Sequence, residues 1–507
     1  MLSCRASIGL RTRQPENLIS PMIPARTRIA PSPTGYMHIG TLRTMLYNYF
    51  LARQTGGQFL VRIEDTDRER MVEGAVENLL GVIRTLGIDY DEGPVLQSDG
   101  TLLSKGDVGP YVQSERLLIY QEHVEKLIAK GDAYYCFCTR DRLDAMRQQQ
   151  MVTKQTPKYD RTCCSLTEDD VTKRLAERGS YVIRMKVPEG ETLFMDAVRG
   201  AIKIANSEVD DQVLLKSDGF PTYHLAVVVD DHLMNITHVI RGEEWISSTP
   251  KHVMLYTMFG WNAPQFAHLP LLLNPDKSKL SKRQGDVAVE DYLKRGYLPE
   301  ALINFVALLG FNPKGDQELY TVEEFTKLFD LSKVNKSGAV LNMEKLDWMN
   351  NQYLRAMEPK AFFEAARPFL QVDVSHPIVE RALLIERERV SRLDELQEHI
   401  GDYLVAPGYD PQSLVWKKAD KEDAKEQLEN VLRILTDAPE ANFAAVESME
   451  LLVKSYVESN GLSNGNVLWP LRVALSGKER SASPFELLWA LGKEESLVRI
   501  GRALDLL

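Results

Sequence analysis

Hydrophobic and polar positions along the first 110 residues follow the order strand, turn, helix, strand. Thr27–Ala30 predicts a short strand that ends in a Pro-Ser-Pro-Thr-Gly turn, and apolar residues then recur at helical spacing over His38–Gln54. Gln58–Ile63 predicts a second strand. This order is typical of parallel α/β nucleotide-binding units, in which ligands lie at the carboxyl ends of strands beside a helix amino terminus.

A second group of strands is predicted further along, and the last third of the chain has a different pattern. The strands are predicted at residues 181–187, 213–215, 222–229, 236–240 and 269–273. The segment of roughly residues 111–206 is therefore interpreted as an insertion that splits one parallel sheet. Beyond about residue 320, charged helical runs such as 378–396 and 423–435 predict an all-helical region of two bundles.

Composition narrows the class of protein without deciding its partner. The 507 residues suffice for about three to five domains, and an apolar share of 44% excludes a disordered or fibrous chain. The longest apolar stretch, Ala301–Phe311, is too short to span a membrane. Five cysteines are too few for a disulfide-stapled scaffold and fit a reducing compartment. The net charge of −11 disfavours nonspecific nucleic-acid binding but leaves a local basic groove open.

The amino terminus is basic and poor in acids. Residues 1–28 contain one acidic residue, Glu16, no apolar run of secretory length, and the arginines Arg5, Arg11, Arg13, Arg26 and Arg28. This composition predicts an organelle transit peptide over residues 1–24. A disordered tail without a targeting role is the alternative interpretation.

The first turn carries a histidine and a glycine in place of a dinucleotide or Walker fingerprint. His38 and Gly40 stand at the start of the predicted helix, whose free N–H groups and partial positive charge favour an anion. Gly40 leaves room for a nucleotide, and His38 can donate a hydrogen bond to a phosphate oxygen. Taken alone, a histidine at a helix start is more often structural.

A cationic loop follows the last predicted strand. Within seven residues it contains Lys277, Lys279, Lys282 and Arg283. Such a cluster is suited to neutralising a triphosphate whose α-phosphorus is under attack. A solvated charged loop is the usual explanation of such a cluster when nothing else accompanies it.

The His-x-Gly helix start and the later Lys-Leu-Ser-Lys-Arg sequence together resemble the paired signatures of class I aminoacyl-tRNA synthetases. Further segments resemble glutamyl-tRNA synthetases of the bacterial and organellar type: Arg28–Gly35, Val61–Asp67, Thr222–Ala226 with Val229–His232, and Arg241–Trp245. The resemblance extends from about Thr27 to beyond Trp348.

The resemblance implies an α/β fold of class I synthetase type. A Rossmann-like parallel-sheet catalytic domain with an inserted acceptor-end-binding domain would be followed by all-helical anticodon-binding domains. After the transit peptide, the division is residues 25–110 for the first half of the catalytic domain, 111–206 for the insertion, 207–330 for the second catalytic half with a stem-contact region, and 331–507 for the helical region.

The residue types suit recognition of an acidic amino acid. A side-chain carboxylate in a closed pocket requires a planar bidentate cation, which Arg28 or Arg241 can supply, and an α-ammonium group requires a carboxylate such as Glu64. By resemblance, the glutamate site comprises Arg28, Ala30, Ser32, Glu64, Tyr223, Val227 and Arg241. A structural ion pair is the alternative role of each arginine.

The same resemblance implies an ATP site formed by His38, Gly40, Glu244, Lys279, Leu280, Ser281, Lys282 and Arg283. Its catalytic residues are expected to be His38, Lys279 and Lys282, with Lys282 stabilising the charge of the transition state. Two positions depart from the pattern. Thr41 stands where the class motif has a second histidine, and Val227 stands where some relatives carry a polar residue beside the glutamate.

Four cysteines of the insertion form a candidate zinc site. Cys136, Cys138, Cys163 and Cys164 could place thiolates around one ion, and some bacterial relatives bind zinc here. Ser165 occupies the position of those relatives' histidine, and the spacing is less usual than paired C-x-x-C, so buried free thiols are the alternative. No residue is assigned as a metal ligand.

Arginines also recur in the helical segment 378–396, where a solvated amphipathic face is the plain explanation. The resemblance implies that the anticodon is contacted near this segment, and Arg389 is the individual residue for which we predict that contact.

The function implied is ATP-dependent ligation of glutamate to tRNA(Glu) through a glutamyl-adenylate, with ATP and Mg²⁺, in the mitochondrial matrix. Charging of tRNA(Gln) is left open, no membrane association is expected, and a monomer is expected. The alternatives are a glutaminyl-tRNA synthetase, whose anticodon part is a β-barrel; a short tRNA-modifying relative, which lacks the helical third; a small-molecule nucleotidyltransferase; and a nonenzymatic RNA-binding module.

Overall fold

The computed structural model describes residues 23–507 apart from 178, 279, 281–287, 314 and 407. The strands are β1 Arg26–Ile29, β2 Gln58–Val61, β3 Gly93–Leu96, β4 Leu102–Lys105, β5 Ala133–Cys136, β6 Val182–Met185, β7 Glu191–Asp196, β8 Gly200–Ala205, β9 Val213–Leu215, β10 His238–Gly242, β11 Gln265–Leu269, β12 Leu272–Leu273 and β13 Ala339–Val340. The predicted transit peptide lies outside the described residues except for its last two positions.

The helices of the first two thirds are α1 Ile39–Gln54, α2 Ala75–Thr85, α3 Leu117–Lys130, α4 Arg140–Val152, α5 Glu168–Ala176, α6 Tyr223–Leu233, α7 Thr249–Phe259, α8 Val289–Lys294, α9 Pro299–Ala307 and α10 Val322–Leu328. Those of the last third are α11 Met343–Ala356, α12 Pro359–Ala366, α13 Pro377–Glu386, α14 Leu396–Leu404, α15 Lys421–Asp437, α16 Val446–Ser459, α17 Asn464–Ser476 and α18 Pro484–Leu506, which is interrupted at Gly492.

Two parallel strand pairs form the centre of the catalytic part, as the sequence predicted. β1 pairs with β2, placing Arg28 opposite Leu60, and β10 pairs with β11. A hydrogen bond of 2.9 Å from Thr237 N to Arg26 O joins β1 to the residue before β10. Helix α1 connects β1 to β2 and buries Leu42 and Leu46 completely. The carboxyl ends of these strands therefore share one edge.

The inserted segment forms an antiparallel sheet and a hairpin. β5, β6 and β9 make a three-stranded sheet, whereas the β7–β8 hairpin is attached to β11 through the pairing of Asp196 with Phe266. Strand pairing therefore crosses the boundary placed after residue 206, because β9 belongs with the insertion and β7 adjoins the catalytic sheet. The domain limits stay predictions.

Residues 222–229, predicted as a strand, form the start of helix α6 instead, with Thr222 as the residue that precedes it. The run of valines favoured a strand because β-branched residues are common in strands. Leu225–Val229 are all buried in the helix, so no polar residue marks a helical period. A helix buried on all sides cannot be distinguished from a buried strand by periodicity alone.

The last third is helical, with differences from the predicted arrangement. Over 378–396 the chain forms all of α13 but its first residue, then an irregular connection with a short 3₁₀ turn at Leu393–Glu395, and reaches α14 only at its last residue. The helix is interrupted because Val390 and Leu393 leave the helical path to enter the core. Lys421–Asp437 is one helix, as expected from the 423–435 pattern. One apolar core extends from Leu298 to Ala503, whereas two bundles were predicted. The short strand β13 pairs with β12.

No helix in the described parts of the chain has the length and apolar character needed to cross a membrane.

A buried acid, a histidine and a tyrosine join α13 to α14. Glu386 accepts hydrogen bonds of 2.7 Å from His399 Nδ1 and from Tyr403 OH. The hydrogen bond to Glu386 raises the pKa of His399 above 6.5. Burial would raise the pKa of Glu386, but the hydrogen bonds from His399 and Tyr403 outweigh it, so the pKa of Glu386 falls below 4.5.

This pair is expected to stabilise the helical region mainly in mildly acidic solution. A histidine whose folded pKa is raised contributes its full stabilisation below the unfolded pKa and loses it as the pH rises through the folded pKa, whereas the contribution of Glu386 is lost only below about 4.5. We expect His399→Gln to lower the melting temperature more at about pH 5.5 than at about pH 8.5. His376→Gln, at an exposed helix start, is the control. Equal effects of His399→Gln at both pH values would contradict the assignment.

Candidate active site

A cleft of about 1210 Å³ lies at the carboxyl edge of the parallel strands. Segments following β1, β2 and β10 contribute to its wall together with the amino termini of α1 and α6. The sequence-predicted residues that line it are Arg28, Ala30, Ser32, His38, Gly40, Glu64, Tyr223, Arg241, Glu244 and Leu280. Residues widely separated in sequence therefore meet in one cavity.

The other predicted site residues lie elsewhere or cannot be placed. Val227 is 1% exposed, faces the apolar core and is not among the residues lining the cleft. It sits on α6 one turn beyond Tyr223, and burial turns its side chain into the core. Lys279, Ser281, Lys282 and Arg283 lie outside the described residues. Leu280, within the same loop, reaches the cleft wall.

A buried ion network positions Arg28 and Glu64. Arg28 Nε donates to Asp231 Oδ1 at 3.0 Å. Arg62 donates to the same oxygen at 2.8 Å through Nη1 and to Glu64 Oε1 at 3.0 Å through Nη2. Asp230, also on α6, lies 3.7 Å from Arg62 Nε. The helix therefore fixes the strand-end residues through two adjacent aspartates.

Glu64 and Asp231, which both interact electrostatically with Arg28, differ in how strongly they favour the charged form. Burial raises the pKa of Glu64, and the guanidinium groups of Arg62 and Arg28 offset only part of this effect. Burial would also raise the pKa of Asp231, but Arg28 and Arg62 outweigh it and hold that pKa below its usual value. An added cation beside Glu64 would favour its charged form. Glu64 is thus suited to receive a substrate ammonium group.

Arg241, on β10, is 5% exposed and is surrounded by neutral groups. Its Nη1 donates hydrogen bonds to Tyr223 OH and His252 Nδ1, both at 3.1 Å. Nε donates to His268 Nε2 at 3.1 Å, and Nη2 donates to Thr249 Oγ1 at 2.8 Å. Within the described part of the chain, no carboxylate forms a salt bridge with it. A buried guanidinium without a counter-ion is a ready site for an anionic ligand.

His252 and its neighbour His224 are both kept neutral. His252 Nε2 lies 3.0 Å from His224 Nδ1. Burial lowers the pKa of His224 to about 3, and burial together with the adjacent Arg241 charge holds the pKa of His252 well below its usual value. The positive charge of this corner of the cleft is therefore concentrated on Arg241.

Tyr223 and Trp245 form an aromatic wall next to Arg241. Their ring centroids are 4.2 Å apart, and both residues line the cleft. The tyrosine hydroxyl accepts a hydrogen bond from Arg241 and can donate one to a ligand.

His38 forms the start of α1 and also lines the cleft. Its Nδ1 accepts from Thr41 N at 3.2 Å, which leaves the ring proton on Nε2. Thr41 Oγ1 lies 3.1 Å from that Nε2, so the threonine that replaces the class-motif histidine contacts the remaining one. A donor at Nε2 beside a helix amino terminus is suited to a phosphate oxygen.

Gly40 leaves no space for a larger residue beside His38. A Cβ atom at this position would lie 3.0 Å from both Cε1 and Nδ1 of the His38 ring. The ring would have to shift by a few tenths of an ångström, which disturbs its cap and its alignment with a phosphate.

We therefore expect Gly40→Ala to raise the KM for ATP by about tenfold while leaving the fold intact, because small misplacements at a reacting centre are costly. The control is Gly81→Ala on α2, where no atom lies within 4 Å of an added Cβ and alanine favours the helix. Steady-state kinetics with varied ATP measure the effect. Equal KM values for the two variants would argue against a role of His38 in ATP binding.

Of the adjacent acids after β10, only Glu244 is available to a ligand. Glu243 accepts from Leu271 N at 2.8 Å and also forms an ion pair with Arg199. Glu244 is exposed and lines the cleft. Its carboxylate lies so close to Gly242 that a Cβ there would be 2.2 Å from Oε2. The glycine thus lets Glu244 fold back over the strand end.

Several residues that hold the site together were missed from the sequence. They are Arg62, Asp231, His252 and His268. The signal for two of them was present, since Arg62 and Asp231 lie within segments that carried the resemblance. His252 and His268 lie outside those segments, and only the folded structure brings them to Arg241.

Three cysteines of the insertion converge. Ligand atoms of Cys136, Cys138 and Cys163 lie within 4.8 Å of one another, and the Cys138–Cys163 sulfur distance is 3.5 Å. Tyr159 OH lies 3.4 Å from both Cys136 and Cys138. Cys164 is not part of the group, and its sulfur lies 4.0 Å from Arg161 Nη2. Three converging sulfurs fit a tetrahedral zinc ion if a further ligand completes it.

Arg389, for which contact with the anticodon was predicted, forms an ion pair of 3.0 Å with Glu486 on α18. Its side chain is 31% exposed. The predicted contact with tRNA stays a prediction.

Comparison with known proteins identifies the family. Residues 24–348 match the family model of the catalytic domain of class I tRNA synthetases (E and Q), and residues 361–504 match that of an anticodon binding domain. A glutamate–tRNA ligase of Chloroherpeton thalassium is 48% identical over 502 residues, covering 95% of this chain and 97% of the relative. The glutamate–tRNA ligase of Clostridioides difficile is 43% identical, covering 94% and 98%.

A crystal structure of a glutamate tRNA ligase from Elizabethkingia meningosepticum in complex with its amino acid superimposes with a TM-score of 0.84 at 34% identity. The match covers 95% of this chain and 99% of the other. The matches extend through both the catalytic and the helical parts. The chain therefore belongs to the class I tRNA synthetases of the E and Q family.

Proposed function

We propose that this protein is a glutamate–tRNA ligase. The observation that supports this most strongly is Arg241, a buried cation with only neutral partners among the described residues, in the same cleft as Glu64 and His38. An acidic amino acid would satisfy Arg241 with its side chain and Glu64 with its ammonium group. The names of the similar proteins agree with this assignment.

The reaction follows from this arrangement. The α-carboxylate of glutamate attacks the α-phosphorus of ATP and displaces pyrophosphate, giving glutamyl-adenylate. The terminal ribose hydroxyl of tRNA(Glu) then attacks the activated carbonyl and releases AMP. Because the substrate carboxylate is itself the nucleophile, the protein acts by positioning and by charge stabilisation. Mg²⁺ bound to the phosphates of ATP would neutralise part of their charge.

Individual residues take distinct roles in this proposal. Arg241 and Arg28 bind the carboxylates of the amino acid, and Tyr223 covers it. His38 donates from Nε2 to a phosphate of ATP, while Gly40 gives access to the helix amino terminus. Lys279 and Lys282, which lie outside the described residues, are proposed to bind ATP, with Lys282 stabilising the transition-state charge.

Glutamine is the competing substrate. Its neutral amide cannot neutralise Arg241, so its binding would leave a buried charge unpaired, which is costly. The helical anticodon region also differs from the β-barrel expected for a glutaminyl enzyme. Glutamate is therefore favoured as the amino acid, while tRNA(Gln) is proposed as a second acceptor besides tRNA(Glu).

The test is glutamate-dependent exchange of pyrophosphate into ATP, with and without tRNA. We expect exchange with glutamate in the presence of tRNA(Glu), because family enzymes of this type need the tRNA for activation, and none with glutamine. Lys282→Ala is expected to lower the exchange by orders of magnitude. Exchange supported by glutamine, or near-normal exchange by the Lys282 variant, would contradict the assigned substrate or role. Charging of purified tRNA(Gln) tests the second acceptor.

We propose in addition an organellar location in the mitochondrial matrix. The support is the arginine-rich, acid-poor composition of residues 1–24. Fusion of these residues to a fluorescent protein should direct it to mitochondria, and a cytosolic signal would contradict the proposal. A monomer is proposed for the enzyme, and light scattering of the purified protein tests it.

Zinc is proposed for the cysteine group of the insertion. Cys136, Cys138 and Cys163 would supply three thiolates, and Tyr159 OH contacts two of them. The ion would hold β5 against the segment before α5. Metal analysis is expected to find one zinc per chain, lost in Cys138→Ser and retained in Cys164→Ser. Zinc-free wild-type protein, with thiols that react fully, would support the alternative of free cysteines.

A further inference from the structure

The guanidinium of Arg241 is hydrogen-bonded to a buried histidine, which in turn contacts a buried aspartate. His268 Nε2 lies 3.1 Å from Arg241 Nε, and His268 Nδ1 lies 2.6 Å from Asp196 Oδ2. His268 is fully buried and Asp196 is 3% exposed. The aspartate ends β7, and the histidine lies on the neighbouring strand β11. Neither residue lines the cleft.

The position of the ring proton follows from these contacts. Arginine Nε carries a hydrogen and can only donate, so His268 Nε2 must be the unprotonated, accepting nitrogen. The single proton of the neutral ring is then on Nδ1, which donates to Asp196. Burial lowers the pKa of His268, which keeps the ring neutral.

Asp196 is itself held in a fixed orientation. Its other oxygen, Oδ1, accepts from the backbone N–H groups of Val198 at 3.0 Å and Arg199 at 2.9 Å, and lies 3.4 Å from His268 N. These donors belong to the turn between β7 and β8 and to β11. The two carboxylate oxygens therefore differ in their partners. Oδ1 accepts hydrogen bonds from the backbone, and Oδ2 accepts one from the histidine ring.

We propose that Asp196 and His268 are positioning residues for recognition of the substrate's side-chain carboxylate. Asp196 selects the Nδ1-protonated form of His268, and His268 then holds Arg241 by accepting its Nε–H. The guanidinium is thereby fixed in the orientation in which it lines the cleft. The role in substrate recognition rests on the proposed function, whereas the proton position does not.

The replacement Asp196→Asn separates this role from simple structural support. The two backbone N–H groups require an oxygen at the Oδ1 position, so the amide nitrogen of asparagine must face His268 Nδ1. An amide nitrogen donates, which moves the ring proton to Nε2. That proton would then face Arg241 Nε–H, and two donors would oppose each other. The variant changes the hydrogen-bond direction with almost no change in volume.

Kinetics on the full-length enzyme test the proposal. We expect Asp196→Asn to raise the KM for glutamate in aminoacylation by about tenfold to a hundredfold, with the KM for ATP changed less than about twofold. His268→Gln is expected to have a smaller effect, because its amide oxygen can accept from Arg241. The matched control is His238→Gln, three residues before Arg241 on β10 and outside the cleft, with unchanged kinetics. Melting temperatures verify folding.

Two kinetic results would overturn the proposal. One is a folded Asp196→Asn enzyme with the wild-type KM for glutamate. The other is an equal rise of the KM values for glutamate and ATP, which indicates a general structural role.

Nitrogen NMR of histidine-labelled protein provides a readout that needs no activity. We expect the His268 ring, assigned by its loss in His268→Gln, to be protonated at Nδ1 in the wild type and at Nε2 in Asp196→Asn. Protonation at Nε2 in the wild type would refute the inference even if the enzyme charges glutamate. If the wild type fails to charge glutamate, the proposed function fails while the NMR result still decides the proton position.

Discussion

Replacing Arg241 with glutamine is expected to lower kcat/KM for glutamate by about 10³-fold. The guanidinium is buried, and no carboxylate of the described residues neutralises it. A substrate carboxylate bound at this position would lose both its charge partner and its hydrogen bonds, and truncating one member of a buried charge pair costs several kcal/mol. Aminoacylation of tRNA(Glu) with varied glutamate measures the change.

Two further variants define the cause of that effect. Arg241→Lys keeps the charge but not the planar fork, so an intermediate loss is expected. Arg53→Gln removes an arginine of α1 that pairs with Asp89 and Asp91 away from the cleft, and we expect wild-type kinetics. If Arg241→Gln retained the wild-type kcat/KM for glutamate, Arg241 would not bind the substrate carboxylate.

The second large effect concerns stability. Arg62 is fully buried and faces the carboxylates of Glu64, Asp230 and Asp231. We expect Arg62→Met to destabilise the catalytic part by about 3–5 kcal/mol, because it leaves buried carboxylates without part of their compensation. Thermal unfolding followed by circular dichroism should show a melting temperature lower by about ten degrees.

A matched variant tests whether burial is the cause. Arg53→Met also removes an arginine with two acidic partners, but Asp89 is 75% exposed and Asp91 32% exposed. Such a pair contributes at most about 1 kcal/mol. Equal shifts of the melting temperature for Arg62→Met and Arg53→Met would contradict the importance assigned to the buried network.

The sequence predicted the parts of the fold that repeat a simple pattern. Thr27–Ala30, His38–Gln54 and Gln58–Ile63 have clear periods and turn residues, and they form β1, α1 and β2 with small changes at the ends. α6 could not be predicted in this way, because its buried face extends around the helix. The prediction of one helical run over 378–396 was wrong for another reason. The local pattern favours a helix, but burial of Val390 in the core interrupts it.

Prediction of the site had a similar limit. Residues within resemblance-bearing motifs, such as Arg28, Glu64 and Arg241, line the cleft. Val227 lies between two such motifs, and its place on the helix turns it into the core. The contacts that orient the cleft residues involve Asp196 and His268, which are 72 residues apart. Neither the local pattern nor the motif spacing predicts this contact, because it depends on which strands become neighbours in the fold.

The central claim is that an acidic amino acid and ATP bind side by side in this cleft. A crystal structure of the enzyme with a non-hydrolysable glutamyl-adenylate analogue tests it most directly. We expect the side-chain carboxylate of the analogue on Arg241, its ammonium group on Glu64 and its phosphate beside His38 and the start of α1. An analogue bound with its side chain away from Arg241, or outside the cleft, would contradict the account.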